Sequence, residues 1–413
     1  MARGLNKLLG EVGQQPRSDD PVAPPESVSP VRSGWSRAAE RDVWRLLALL
    51  TAVFVTWFVF DELTSGVFLT PRNLSNLSVQ GVVTAMVALG VGGLLVARQI
   101  DLSVGAVVGV VVVITVYLQV TYDWSASAAI AAGLALGVLI GVIQGLLVTK
   151  LRLPSFVVTL AAFSYLRGAA FAITGGVTLT GTSDQFVWIA NGTLSREVTL
   201  VIGVCVAVAA LAGWSRRPFG RGTDRQRWSV RPVDVVQGIA AAACVGVCLW
   251  TYLNYRGLPV PVLLLGLAAL SALFVLRATP FGRHIYAIGG NPVAAARAGI
   301  RVQRVTVILF AASAFMAALA GVVNASRLDA GPPDTGSLLV LDGISAAVLG
   351  GVNLFGGSGS VAGILLGSVL LVSIQNGLNL LQISAFWQQI VSGLILLVVV
   401  GIDAIAQYRT KAE

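Results

Sequence analysis

Residues 79–121 read VQGVVTAMVALGVGGLLVARQIDLSVGAVVGVVVVITVYLQVT, two long apolar runs at 79–97 and 103–121 with Arg98-Gln99-Ile100-Asp101-Leu102 between them. An α-helix needs about 20 mostly apolar residues to cross the hydrocarbon core of a bilayer, and each run comes close to that length. A soluble helix would keep a polar face. Runs of the same kind stand at 43–60, 126–148, 155–174, 198–214, 235–252, 259–277, 305–324, 338–352, 361–381 and 386–405. The pattern predicts an all-α polytopic integral membrane protein of about 12 transmembrane helices, within a range of about 10 to 12. Segment 338–352 is short and carries Asp342, so a re-entrant course there would change the orientation of everything after it.

Composition agrees. Of 413 residues, 56% are hydrophobic and 11% charged, against about 25% charged in soluble domains. The 46 Gly and 15 Pro are tolerated in transmembrane helices because neighbouring helices re-satisfy the backbone. Cys205, Cys244 and Cys248 sit inside apolar runs and His284 is the only histidine, which leaves no framework for disulfides and no metal site. The net charge of +9 falls mainly in inter-helix loops and at the two ends. The positive-inside rule explains that distribution more simply than a nucleic-acid partner does.

Residues 1–42 are polar and rich in proline, without the apolar core of a signal peptide, and read as a disordered cytoplasmic tail. Arg37, Arg41 and Arg45 precede the first span and put its start in the cytoplasm. The same side then receives Lys150 with Arg152, the segments 216–231 and 277–304, and the short tail 408–413 with Arg409 and Lys411. The connections at 61–72, 183–197 and 327–334 balance acids against bases and read as extracytoplasmic. Both termini are expected in the cytoplasm, with residues 43–407 forming one transmembrane domain.

Gly133, Gly137, Gly141 and Gly145 recur every fourth residue, which places them on one helix face. Close approach of a partner helix explains such a stripe more simply than a substrate role. Gly105 with Gly109, and Gly363 with Gly367, repeat the spacing in the two halves. Ser103-Val104 and Ser360-Val361 each open a helix after a break, so the halves show a weak internal repeat.

The chain carries no G-x-x-x-x-G-K-[ST] loop for nucleotide phosphates. No nucleophile has a partnered histidine, so the chain is expected not to be an enzyme and to hold no cofactor. Polarity at membrane depth is the stronger signal. Asp101 and Ser103 lie in the first break, where Asp101 serves equally as an ordinary helix cap. Asp342 begins a glycine-rich stretch that reaches Gly359. Gln375, Asn376 and Asn379 with Trp387, Gln388 and Gln389 form a third group. Amides hydrogen-bond hydroxyls in both directions and an aromatic face packs on sugar C–H groups, which suits a neutral polyhydroxylated solute; interhelical amide pairing is the rival explanation. Asp101, Ser103, Asp342, Gln375, Asn376, Asn379, Trp387 and Gln388 are the candidate substrate-path residues. The last signal is the loop Pro280-Phe281-Gly282-Arg283 through Gly290-Asn291-Pro292 to Gly299, where Pro292, the alanines behind it and Gly299 describe a short helix between two spans. Such an ordered loop suits docking to a separate motor protein.

On these residues the sequence resembles the ribose/xylose-type permeases of ABC importers. The resemblance is carried by Ile100-Asp101-Leu102-Ser103-Val104-Gly105, by Lys150-Leu151-Arg152-Leu153-Pro154-Ser155, by Phe281-Gly282-Arg283 through Gly299-Ile300, by Leu349-Gly350-Gly351 through Ser360, and by Asn376-Gly377-Leu378-Asn379 with Phe386-Trp387-Gln388-Gln389. It implies an ABC importer permease fold and a homodimer of permeases in the bacterial inner (plasma) membrane. It implies as partners a cytoplasmic ATP-binding subunit and an extracytoplasmic sugar-binding protein, beside membrane lipid. The loop 281–300 would be the coupling helix, with Gly282, Arg283, Gly290, Asn291, Pro292, Ala295 and Gly299 at the ATPase. Residues 216–257 resemble the extra pair of the longer, xylose-type members and point to xylose or a similar pentose. Two departures stand out: Val293 replaces an often acidic residue, and Arg98-Gln99 replaces a small or singly acidic pair, within reach of an ion pair to Asp101. An ion-coupled secondary transporter acting alone is the rival reading, and it would want paired ionisable groups in mid-span, which few of these spans offer.

Overall fold

The computed structural model describes residues 32–215 and 232–412, and its compact body is Val43–Glu413. The first helix, α1 (Arg32–Leu63), is followed by α2 (Pro71–Val96), α3 (Val104–Tyr122), α4 (Ala126–Lys150) and α5 (Ser155–Thr174). A two-residue strand β1 (Leu179–Thr180) and the short α6 (Asp184–Asn191) lead to α7 (Arg196–Ser215), α8 (Pro232–Leu253) and α9 (Val260–Ala278). Then come α10 (Pro280–Gly290), α11 (Pro292–Arg297), α12 (Val302–Leu328), β2 (Ala330–Gly331), α13 (Leu339–Leu349), α14 (Val361–Leu380) and α15 (Ala385–Ala412).

Among the described residues eight helices are long and apolar enough to cross a membrane. The expected crossings at 198–214, 235–252 and 386–405 coincide with α7, α8 and α15, which are described only in part, and 338–352 holds the shorter α13. Segment 338–352, for which a crossing and a re-entrant course were both open, holds a short helix. Its helix α13 has 11 residues, a length of about 16 Å against a hydrocarbon core of about 30 Å. Helix α1 begins at Arg32, inside the segment 1–42 read as a tail; the last proline of that segment is Pro30, and Ala38, Ala39 and Glu40 after it favour helix. Residues 1–31 and the basic connection 216–231 lie outside the described residues.

The bundle has an apolar core and also exposes large apolar side chains, as lipid solvation requires. Leu139, Leu160, Leu267 and Phe274 are more than half exposed, while α2 and α3 are buried nearly throughout. The glycine stripe of α4 is where α12 approaches. A Cβ at Gly137 would stand 2.5 Å from that of Ala318, and one at Gly145 would stand 2.7 Å from the Cα of Val307, while Gly133 faces Thr115 of α3.

Connections alternate between two ends. At one, which we call the basic end, Ile100 N donates to Ser155 Oγ at 3.2 Å and Arg98 Nη2 to the Gly290 carbonyl at 2.9 Å. Lys150, Arg152, Arg283, Arg297 and Arg301 are exposed there. At the other, β1 and β2 pair antiparallel with Leu179 opposite Gly331, Thr182 donates to Asp329, and Val260 N donates to the Gly192 carbonyl at 3.0 Å. The chain between β2 and α13 is not helical, and it runs against α3, where added Cβ atoms at Gly105 and Gly109 would overlap the carbonyls of Gly336 and Thr335. The other end of α13 lies on α14, where Gly363 and Gly367 face the carbonyls of Gly350 and Ala346. The two echoing glycine pairs thus hold the two ends of one broken segment.

Candidate functional site

Three interruptions far apart in sequence meet at the basic end. Gly357 N donates to the carbonyl of Val96 at 2.9 Å, Tyr286 Oη donates to that of Gly359 at 2.9 Å, and Arg98 reaches Gly290. Gly289 lies so close to Val96 and Gly357 that a Cβ there would stand 2.5 Å from Gly357 N. The loop 281–300, read from sequence as one short helix, holds two. In α10, Pro280 takes the first helical position, Thr279 caps Gly282 N at 3.3 Å, and Ile285 and Ile288 are buried. In α11, Asn291 Oδ1 accepts from Val293 N and Ala294 N at 3.0 Å each. Gly299 ends the turn with φ +85°. Of the expected coupling residues, Gly282 and Ala295 are buried, whereas Arg283, Gly290, Asn291 and Pro292 are exposed beside Val293.

Asp101 and Ser103 are sealed in the bundle. Asp101 Oδ1 accepts from Ser103 N at 2.8 Å and Ser103 Oγ at 2.6 Å, and Gln144 Nε2 donates to Ser103 Oγ at 2.8 Å. All three are at most 1% exposed. Thr159 Oγ1 receives Leu102 N at 3.1 Å, so the break is pinned to α4 and α5 together. The ion pair between Arg98 and Asp101 anticipated from their spacing is not formed; Arg98 turns to Gly290 instead.

Asp342, Gln375 and Gln388 come together with Ser345, Gln389, Ser392 and Phe386 around a cleft of about 660 Å³ between α13, α14 and α15. Gln375 Nε2 donates to Asp342 Oδ1 at 3.1 Å and to Ser392 Oγ at 3.3 Å. Gln375 stands about 21 Å along α14 from Val361, nearer the end opposite the basic one. A carboxylate at this depth is costly without hydrogen-bonding partners, which the amide and the open cleft provide. The lining sets amides, hydroxyls, a carboxylate and one phenyl ring among the aliphatic side chains of Leu338, Leu341, Ile390 and Leu396, with no Lys or Arg.

The remaining candidates lie elsewhere. Asn376 faces away from the cleft and accepts from Asn73 Nδ2 at 3.0 Å, both residues buried. Asn379 is exposed and Trp387 is 61% exposed outside the lining, where Phe386 takes the aromatic position. Arg167, which sequence reasoning passed over, is exposed on α5 beside Pro333, Thr335 and Ser337 of the non-helical segment. Its signal was available as a lone arginine inside the apolar run 155–174.

Residues 73–400 match a family model described as the branched-chain amino acid transport system / permease component. The chain is 37% identical over 368 residues to the xylose transport system permease protein XylH of Escherichia coli (strain K12), covering 89% of this chain and 93% of that one. It is 36% identical to XylH of Haemophilus influenzae, with 86% and 95% covered. To the ribose import permease protein RbsC of Bacillus subtilis it is 32% identical, with 81% and 86% covered. No solved structure matches the chain.

Proposed function

The chain belongs to the permease family matched over residues 73–400, and we propose that it is the membrane subunit of an ABC importer carrying a monosaccharide, xylose or a similar pentose, into the cytoplasm. The observation that carries this reading is the cleft at Asp342, Gln375, Gln388 and Ser392, whose groups donate and accept like the hydroxyls of a sugar. An amino acid would need a cation for its carboxylate beside a carboxylate for its ammonium, and the lining supplies only Asp342. Greater identity to the xylose permeases than to the ribose permease supports a pentose of the xylose type.

In this reading the basic end faces the cytoplasm, as the positive-inside rule asks, and both termini lie there. A second copy completes the path, an extracytoplasmic binding protein delivers the sugar, and a separate cytoplasmic ATPase docks on the exposed residues of α10 and α11. ATP-driven closure moves that loop. Movement passes through Gly357–Val96 and Tyr286–Gly359 to α13, which has non-helical chain on both sides and so can shift as a unit. Affinity resides in the binding protein, so the permease alone binds sugar weakly and hydrolyses no ATP.

The test is uptake of labelled xylose by vesicles holding the permease, its ATPase and its binding protein, with unlabelled competitors. Xylose and ribose should compete and leucine should not. Displacement by leucine alone would overturn the sugar assignment.

A further inference from the structure

The backbone of Arg98 is left-handed, with φ +61°, a geometry that disfavours an arginine. Its guanidinium donates to the carbonyl of Gly290, the last residue of α10. There it also meets the negative end of that helix's dipole. Its stem lies on Gly356, where φ is +85° and an added Cβ would overlap the Arg98 Cγ. Two residues further on, the chain is fixed to α5 through Ser155 and to α4 through the Asp101–Ser103–Gln144 set. The left-handed turn itself closes α2, with Gln99 N donating to the Leu94 carbonyl and Arg98 N to that of Leu95; what Arg98 adds is a side chain that leaves its own helix end and joins it to Gly290 and Gly356.

We infer that Arg98 is a positioning residue, the tie through which movement of α10 at Gly290 enters the α2–α3 break and, behind it, α4 and α5. It is a second line beside the one from Tyr286 to the α13–α14 break, and it rests on the ATP-driven reading above. Without the tie, α10 moves with its ATPase while the α3 side of the bundle follows less.

The experiment uses the complete complex in proteoliposomes and reads sugar imported per ATP hydrolysed. Arg98→Gly relieves the backbone and removes the guanidinium; Arg98→Asn keeps a side chain that accepts left-handed geometry but cannot reach Gly290; Arg98→Lys keeps a donor. Import per ATP should fall by between about twofold and about thirtyfold in the Gly and Asn variants. Lys should recover part of it, with thermal stability held or raised in Gly. An unchanged ratio in both Gly and Asn, or a fall in import that merely tracks a fall in folded protein, overturns the inference. If the unaltered complex shows no ATP-driven uptake, the importer reading fails and the inference falls with it.

Discussion

Gly105 and Gly336 meet backbone to backbone. A Cβ on Gly105 would overlap the Gly336 carbonyl, a Cβ on Gly336 would overlap that of Gly105, and Gly336 has φ +93°. Irregular chain at membrane depth is tolerated only against protein or a watery cavity, and these glycines let α3 serve as that wall. Gly336→Ala should therefore destabilise the protein in detergent by at least about 2 kcal/mol, through overpacking and left-handed strain together. Gly266→Ala, with open space around it, should be neutral or slightly stabilising. Equal melting temperatures for the two variants would contradict this packing.

The buried set at the first break makes a graded prediction. Ser103→Ala removes a donor from Asp101 and the acceptor of Gln144, and each buried group left unpaired costs about 1–3 kcal/mol. Gln144 Oε1 has no hydrogen-bond partner, so Gln144→Met removes an unsatisfied acceptor along with one donor and should cost less. Thermal unfolding of the two variants checks the order.

Adjacent residues on α14 should behave oppositely. Gln375→Leu strips the cleft of the amide that joins Asp342 to Ser392, and it should lower the maximal rate of transport while leaving the half-maximal sugar concentration, set by the binding protein, and the melting temperature nearly unchanged. Asn376→Leu breaks the pair with Asn73 and should cost about 0.6 kcal/mol of stability, up to about 1.7, with transport per folded molecule retained. Uptake kinetics normalised to folded protein separate the two.

Tyr286→Phe leaves the Gly359 carbonyl without its phenolic donor. A net loss of about 1 kcal/mol in stability is expected, together with less sugar imported per ATP. Loss of stability alone would make the contact a brace and not a transmission point.

Hydropathy was enough to find the eight long apolar helices because crossing a bilayer demands long apolar runs. It could not turn the helices about their axes, since lipid and protein core are equally apolar. Gln375 and Asn376 show the consequence: neighbours on a helix point about 100° apart, and nothing in the sequence tells which one faces a cleft. The stripe at Gly133, Gly137, Gly141 and Gly145 was legible because fourth-residue spacing carries its own face. Segment 338–352 stayed open in the sequence because a short apolar helix bounded by glycine turns has the composition of part of a crossing. The meeting of Arg98, Gly290 and Gly357 was hidden for another reason. Each break was visible, but only tertiary packing brings them together, and Arg98 had a nearer candidate in Asp101.

The most direct test of the account is the energy source for uptake by inverted or reconstituted vesicles containing this permease, its ATPase and its binding protein. Accumulation of labelled xylose should require ATP on the side of α10 and α11 and should persist when ion gradients are collapsed. Accumulation driven by an ion gradient in the absence of ATP would contradict it.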